Sequence, residues 1–125
     1  MLLPFGFSFA RKNSCGVQSK AEIRKSIKYY HHKLVKDSLD QKSTYFIGMC
    51  YYKLSSFDTA MNYFSKLILL NPKYPAGYSN RGLCKLILKD TLGSCHDFHE
   101  SIKNGEDDPF MNGETLSKWI KLNCH

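Results

Sequence analysis

The chain has 125 residues and 14.4 kDa, is 42% hydrophobic, 23% charged and 14% aromatic, and so is long enough for one modest core and too apolar for a disordered tail. Four prolines and eight glycines fit long regular elements better than a many-turned β-sandwich, and no apolar run approaches the roughly 18–20 residues that span a bilayer. The formal net charge of +7 lies wholly in residues 1–53, which hold ten basic and three acidic side chains against eight of each in 54–125. Such an excess attracts anionic partners, or simply solvates a helix face.

In chain order, residues 1–18 form an atypical N-terminal segment, and a helical domain covers 19–125. The opening Met1-Leu-Leu-Pro-Phe-Gly-Phe-Ser-Phe-Ala-Arg-Lys12 is apolar first and basic afterwards, the reverse of a secretory signal, and Pro4 and Gly6 interrupt it. Five cysteines, at 15, 50, 84, 95 and 124, form no C-x-x-C pair and read as free thiols. Together these features predict a cytoplasmic protein. Ser19-Lys-Ala-Glu22 is a capping box opening a helix over 19–38. Further helices are predicted over 41–54, 57–70, 75–89, 92–103 and 109–123. Leu54-Ser-Ser-Phe57 breaks the second from the third, Pro75 and Pro109 suit first helical turns, and Asn104-Gly105 suits a left-handed C-terminus.

Sliding the chain by 34 residues pairs Gly48 with Gly82, Cys50 with Cys84, Leu54 with Leu88, Phe64 with Phe98 and Ile68 with Ile102. The same offset aligns Ser26, Ala60 and Ser94 as small residues, then Ile27, Met61 and Cys95, then Tyr30, Phe64 and Phe98, then Leu34, Ile68 and Ile102. These columns repeat as one helix face. The expected fold is all-α: stacked antiparallel helix pairs with a 34-residue period, repeats at about 41–74 and 75–108, a half repeat at 19–38 and a capping helix at 109–123.

Ile47-Gly48-x-x-Tyr51, Ala60-x-x-x-Phe64 and Pro72 together resemble the tetratricopeptide repeat, and Tyr78-Ser-Asn-Arg-Gly82-Leu is similar to that family's common opening. Lys85 departs from the pattern where an aromatic is expected, and Glu106 where the closing proline is expected. The half repeat lacks its first helix, which leaves an apolar face to be covered. The stretch Met1-Leu-Leu-Pro-Phe-Gly-Phe-Ser-Phe9 folding over it is the favoured solution; a homodimer through that end, or membership of a longer array, are the others.

The resemblance implies a non-catalytic protein-interaction module that binds a partner peptide or helix in a concave groove. It places Lys42, Tyr45, Phe46, Met49, Tyr52 and Lys53 in that groove, with Ser79, Asn80, Leu83 and Leu86 from the second repeat. An aromatic and methionine surface edged by two lysines suits an anchor pocket, unless the first helix or the N-terminal segment covers it. Of the cations and amides with which some relatives grip a chaperone's C-terminal carboxylate, only Asn80 is in place. The alternative is a nucleic-acid-associated protein using the basic helix, with Lys20, Arg24, Lys25, Lys28, Lys33 and Lys36 interleaved with Tyr29, His31 and His32. That spacing also fits, less well, a membrane-surface helix. His96 and His99 beside Cys95 could share a metal, yet Cys95 reads better as an apolar column residue, so no metal or other cofactor is expected. Phosphate-binding loops, nucleophile elbows and H-E-x-x-H are absent, and the acidic run 106–108 suits a helix start, so no enzyme is expected.

Overall fold

The computed structural model describes residues 18–107, 109–111 and 113–125. These form α1 (Lys20–Lys36), α2 (Gln41–Lys53), α3 (Phe57–Leu70), α4 (Gly77–Ile87) and α5 (Thr91–Lys103), then the strands β1 (Pro109–Met111) and β2 (Glu114–Thr115), then α6 (Leu116–Asn123). Helices pack as sequence neighbours, α1 on α2 and α4 on α5, with α6 on α5, in an all-α helical-repeat arrangement. Two compact units meet between Tyr63 and Phe64, inside α3. The expectations for residues 1–17, including a cover for the half repeat, lie outside the described residues.

Short polar side chains start the helices by accepting otherwise unpaired amides. The capping box of α1 is formed: the Glu22 amide donates to Ser19 Oγ (3.2 Å) and the Ser19 amide to Glu22 Oε2 (2.9 Å). Asp40 accepts the Lys42 and Ser43 amides and, at 2.5 Å, the Ser43 hydroxyl. That hydroxyl above all, then the two amides, hold the Asp40 carboxyl below its ordinary value, outweighing the opposing effect of burial. Asp90 caps α5 and Thr115 caps α6 in the same way.

The 34-residue period reappears in the backbone. Ser55 (φ 60°) and Lys89 (φ 72°) are both left-handed, one residue past the C-caps Leu54 and Leu88. Both turns close alike: Ser55 and Ser56 donate to Tyr52 and Tyr51, while Lys89 and Asp90 donate to Leu86 and Lys85. Side-chain columns follow. Ala60, Phe64, Ser94 and Phe98 are fully buried, and Ile27 and Ile68 nearly so. In the first unit Ile23, Ile27 and Cys50 pack with Tyr51 and Leu54. In the second, Phe98, Leu116 and Ile120 pack with Leu86, Ile102, Trp119 and Cys124, the Trp119 ring edge-on to Phe98 at 5.2 Å.

Three expectations need correction. Pro75 does not open a helix: it lies in a turn, and α4 starts at Gly77 after a left-handed Ala76 (φ 66°) whose amide is held by the Glu106 carboxylate. The capping helix does not start at Pro109, because residues 109–111 pair antiparallel with 114–115 around Gly113 (φ 76°). The helix starts seven residues later, at Leu116, where Asp107 accepts the Ser117 amide (2.8 Å) and hydroxyl (2.7 Å). Finally, the cysteines are not all free thiols. Cys95 and Cys124 form a disulfide with Cα atoms 5.8 Å apart, and Cys50 is disulfide-bonded as well. The folding of α6 back along α5 brings together two cysteines that lie 29 residues apart. Cys84 is free and fully buried, and burial pushes its thiol up to about 12.

A Cβ at Gly82 would lie 2.6 Å from Phe98 Cε1 and 3.2 Å from Asp97 Cβ. Gly82→Ala should therefore lose stability by about 1–3 kcal/mol through overpacking, although alanine gains about 1 kcal/mol of helix propensity elsewhere; a urea titration that finds the variant more stable would refute the tight crossing. Cys124→Ser opens a loop of 29 residues and should cost about 3–4 kcal/mol under non-reducing conditions, read from the melting temperature.

Candidate protein-interaction surfaces

Helix α2 carries six of the ten positions assigned to the groove, all in the first unit. Its core side is firm: Ile47 and Cys50 are fully buried, as are Ser43 and Thr44. Along the rest of the helix Tyr45, Phe46, Met49 and Tyr52 are half-buried, and Lys42 and Lys53 are exposed near its two ends. Neighbouring rings engage these side chains. Phe46 stacks on Tyr30 of α1 at 5.1 Å, Tyr45 meets Phe46 edge-on at 5.3 Å, and Tyr52 meets Phe57 at 5.4 Å. α1 therefore takes one face of Phe46, as the competing sequence reading allowed. Beside this set, Tyr51 stacks on Tyr63 at 5.7 Å, and the Tyr63 hydroxyl pairs with His31 Nε2 at 3.1 Å. Burial pushes the Tyr30 and Tyr63 hydroxyls above their ordinary values.

The remaining four positions, Ser79, Asn80, Leu83 and Leu86, lie on α4 in the second unit and are half-buried. Asn80 spends its amide on the Ala76 carbonyl (2.8 Å), which tightens the first turn of α4. Leu86 packs against Phe98, Leu116 and Ile120 and serves the core.

All six cations of α1, Lys20, Arg24, Lys25, Lys28, Lys33 and Lys36, are exposed. Lys33 Nζ sits 5.2 Å from the centroid of Tyr29, a ring that is itself 57% exposed. Among the described residues no ion pair occupies any of the six.

The sequence reading missed one polar centre. Asp97 is fully buried on α5, and Arg81 of α4 grips it with two hydrogen bonds, Nε to Oδ2 (2.8 Å) and Nη2 to Oδ1 (2.7 Å). Lys85 Nζ adds an ion pair to Oδ2 at 2.9 Å, and Arg81 Nη1 reaches Ser65 Oγ at 3.1 Å. Burial alone would raise the Asp97 carboxyl; hydrogen bonds from Arg81 and Lys85 outweigh it and hold the group below its ordinary value. Lys85 stands where the repeat pattern wanted an aromatic, and that departure was the available clue. The two cations keep about a fifth of their side chains exposed, at 19% and 22%, so water shares their charge. Among the described residues no cluster of three or more His, Cys, Asp or Glu side chains could hold a metal ion. Nor is any described helix long and apolar enough to cross a membrane.

No protein-family model matches this chain, and no curated protein matches it either.

Asp97 also sets a pH dependence. Its folded pKa is lowered, so its contribution is complete above the ordinary carboxylate range and is lost as pH falls through the folded value. Asp97→Asn should lower stability at neutral pH, by less than the roughly 3–5 kcal/mol of a fully buried broken pair, and should flatten the acid limb of a stability–pH curve. An unchanged acid limb would show that Asp97 does not carry it.

Proposed function

We propose that the chain is a tetratricopeptide-type interaction module, non-catalytic, that holds a peptide or helical segment of another protein. The observation that supports this most is the 34-residue recurrence of helix pairs: small and aromatic columns buried at equivalent places, and left-handed turns at Ser55 and Lys89 closed by equivalent hydrogen bonds. A scaffold that buries one helix side on its neighbours leaves the other to present side chains. On α2 those are Tyr45, Met49 and Tyr52, rigid or soft apolar groups suited to anchor a partner, with Lys42 and Lys53 at the margins.

Placement in the cytoplasm stays with this proposal and now carries a condition. The cytosol keeps thiols reduced, so a Cys95–Cys124 bond there would open and close with redox state, whereas an oxidising compartment would hold it closed. Alkylating the protein as it leaves its source, before any reductant, distinguishes the two.

Tyr45→Ala with Met49→Ala should reduce capture of a bound protein from source lysate at least tenfold and leave the melting temperature within about 3 °C. The comparison is made after nuclease treatment and at physiological salt, so that nucleic acid cannot bridge. Capture equal to that of the unaltered chain would remove α2 from the binding surface.

A further inference from the structure

Among the described residues, two cations of the second unit meet a carboxylate in its core, whereas the six of α1 all face water. Arg81 and Lys85 share the buried Asp97. On α1, by contrast, six cations are exposed and without ion pairs, and they stand on a helix whose Ile23 and Ile27 are already buried against Cys50, Tyr51 and Leu54. The apolar side of α1 is therefore used up by the fold. Its large exposed apolar residues are Tyr29 (57%) and Val35 (84%) alone, too few for a helix that inserts into a bilayer surface.

Spacing on the outer side is regular. Arg24, Lys28, His32 and Lys36 follow one another at i, i+4, and each step climbs about 6 Å along the axis. Lys25 lies beside that row, and so does Tyr29. Three cations, Arg24, Lys28 and Lys36, on a row completed by His32, with Lys25 and an exposed aromatic beside them, match a strand of phosphates carrying bases that can stack. An acidic polypeptide would satisfy the cations and make no use of the ring.

We infer that the outer face of α1 binds single-stranded nucleic acid, with Arg24, Lys25, Lys28 and Lys36 on the phosphodiester backbone and Tyr29 stacking on a base. Lys33 lies over the Tyr29 ring, and a base replaces that contact on binding. None of these α1 residues belongs to the α2 set of the interaction module, so variants here and at Tyr45 and Met49 test the two readings independently.

The test is fluorescence anisotropy of a labelled mixed-sequence single-stranded RNA 15-mer with the full chain, from 25 to about 200 mM salt. About four backbone contacts give a slope of about −3 in log affinity against log salt. Lys25→Glu with Lys28→Glu and Lys36→Glu should abolish binding, while Lys73→Glu with Lys89→Glu and Lys121→Glu, the same change of net charge placed in the second unit, should leave most of it. Tyr29→Ala should weaken the RNA complex about tenfold and leave the melting temperature and the affinity for polyglutamate unchanged. The inference is overturned by no binding at 25 mM salt, by equal losses in the two triple variants, by a Tyr29→Ala complex as tight as the original, or by tighter binding to phosphatidylserine vesicles than to RNA.

Discussion

Helix α4 crosses α5 where Gly82 has no Cβ and the edge of the Phe98 ring fills the volume one would take. Much of the second unit depends on that approach. With the backbones this close, Asp97, one residue before Phe98, comes under the side chains of Arg81 and Lys85, and a carboxylate can be buried because two cations meet it there. Phe98 in turn is the floor on which Leu116, Trp119 and Ile120 of α6 settle. The Cys95–Cys124 bond then ties the end of α6 to the helix it covers. A wider crossing would leave the carboxylate short of one partner and α6 without a flat aromatic surface.

The turn leading into α4 depends on the end of the same helix pair. Ala76 adopts a left-handed conformation that an alanine does not choose for itself. Glu106 holds its amide with one carboxylate oxygen while the other accepts the Ser101 hydroxyl at 2.6 Å, and Asn104 donates to the Pro72 carbonyl at 3.0 Å. Glu106 occupies the place where the repeat pattern has proline. Proline would only stop a helix, whereas this side chain also fastens the entry of the pair to its exit.

Local rules carried the sequence reading a long way. The capping box at Ser19, the break at Ser55 and Ser56, the left-handed Gly105 and the small and aromatic columns all stand where the residues indicated. Each depends on neighbours within one or two turns, which a linear pattern records. What it did not record depends on distance. Pro75 and Pro109 fit first helical turns by conformation, but one lies in the turn that Glu106 fastens thirty residues away, and the other in a strand that residues 114–115 pair. The Cys95–Cys124 bond exists because α6 folds back, and Asp97 is buried because Arg81 and Lys85 of α4 meet it there, a pairing 16 and 12 residues away in the chain that no local pattern records. Of the ten groove positions, Leu86 turns toward the core for the same reason: the capping helix was expected from the sequence, but not that it would fold back onto Leu86.

The distribution of charge separates the two units more sharply than their shared period does. Desolvating a carboxylate is costly, and a fold that does so must supply cations; the second unit uses Arg81 and Lys85 in this way. An exposed lysine carries no such obligation and contributes little to stability. Five of them and Arg24 on α1 cannot be explained by what holds α1 in place, since Ile23, Ile27 and the ring of Tyr30 against Phe46 already do that. Long-range potential grows with each added cation on one face, and it acts on whatever anion approaches before any contact forms. The first unit thus offers two unlike chemistries, an aromatic and thioether set on α2 that rewards desolvation and a cationic face on α1 that rewards charge. A single ligand could satisfy both only by carrying apolar anchors and a line of negative charge at once.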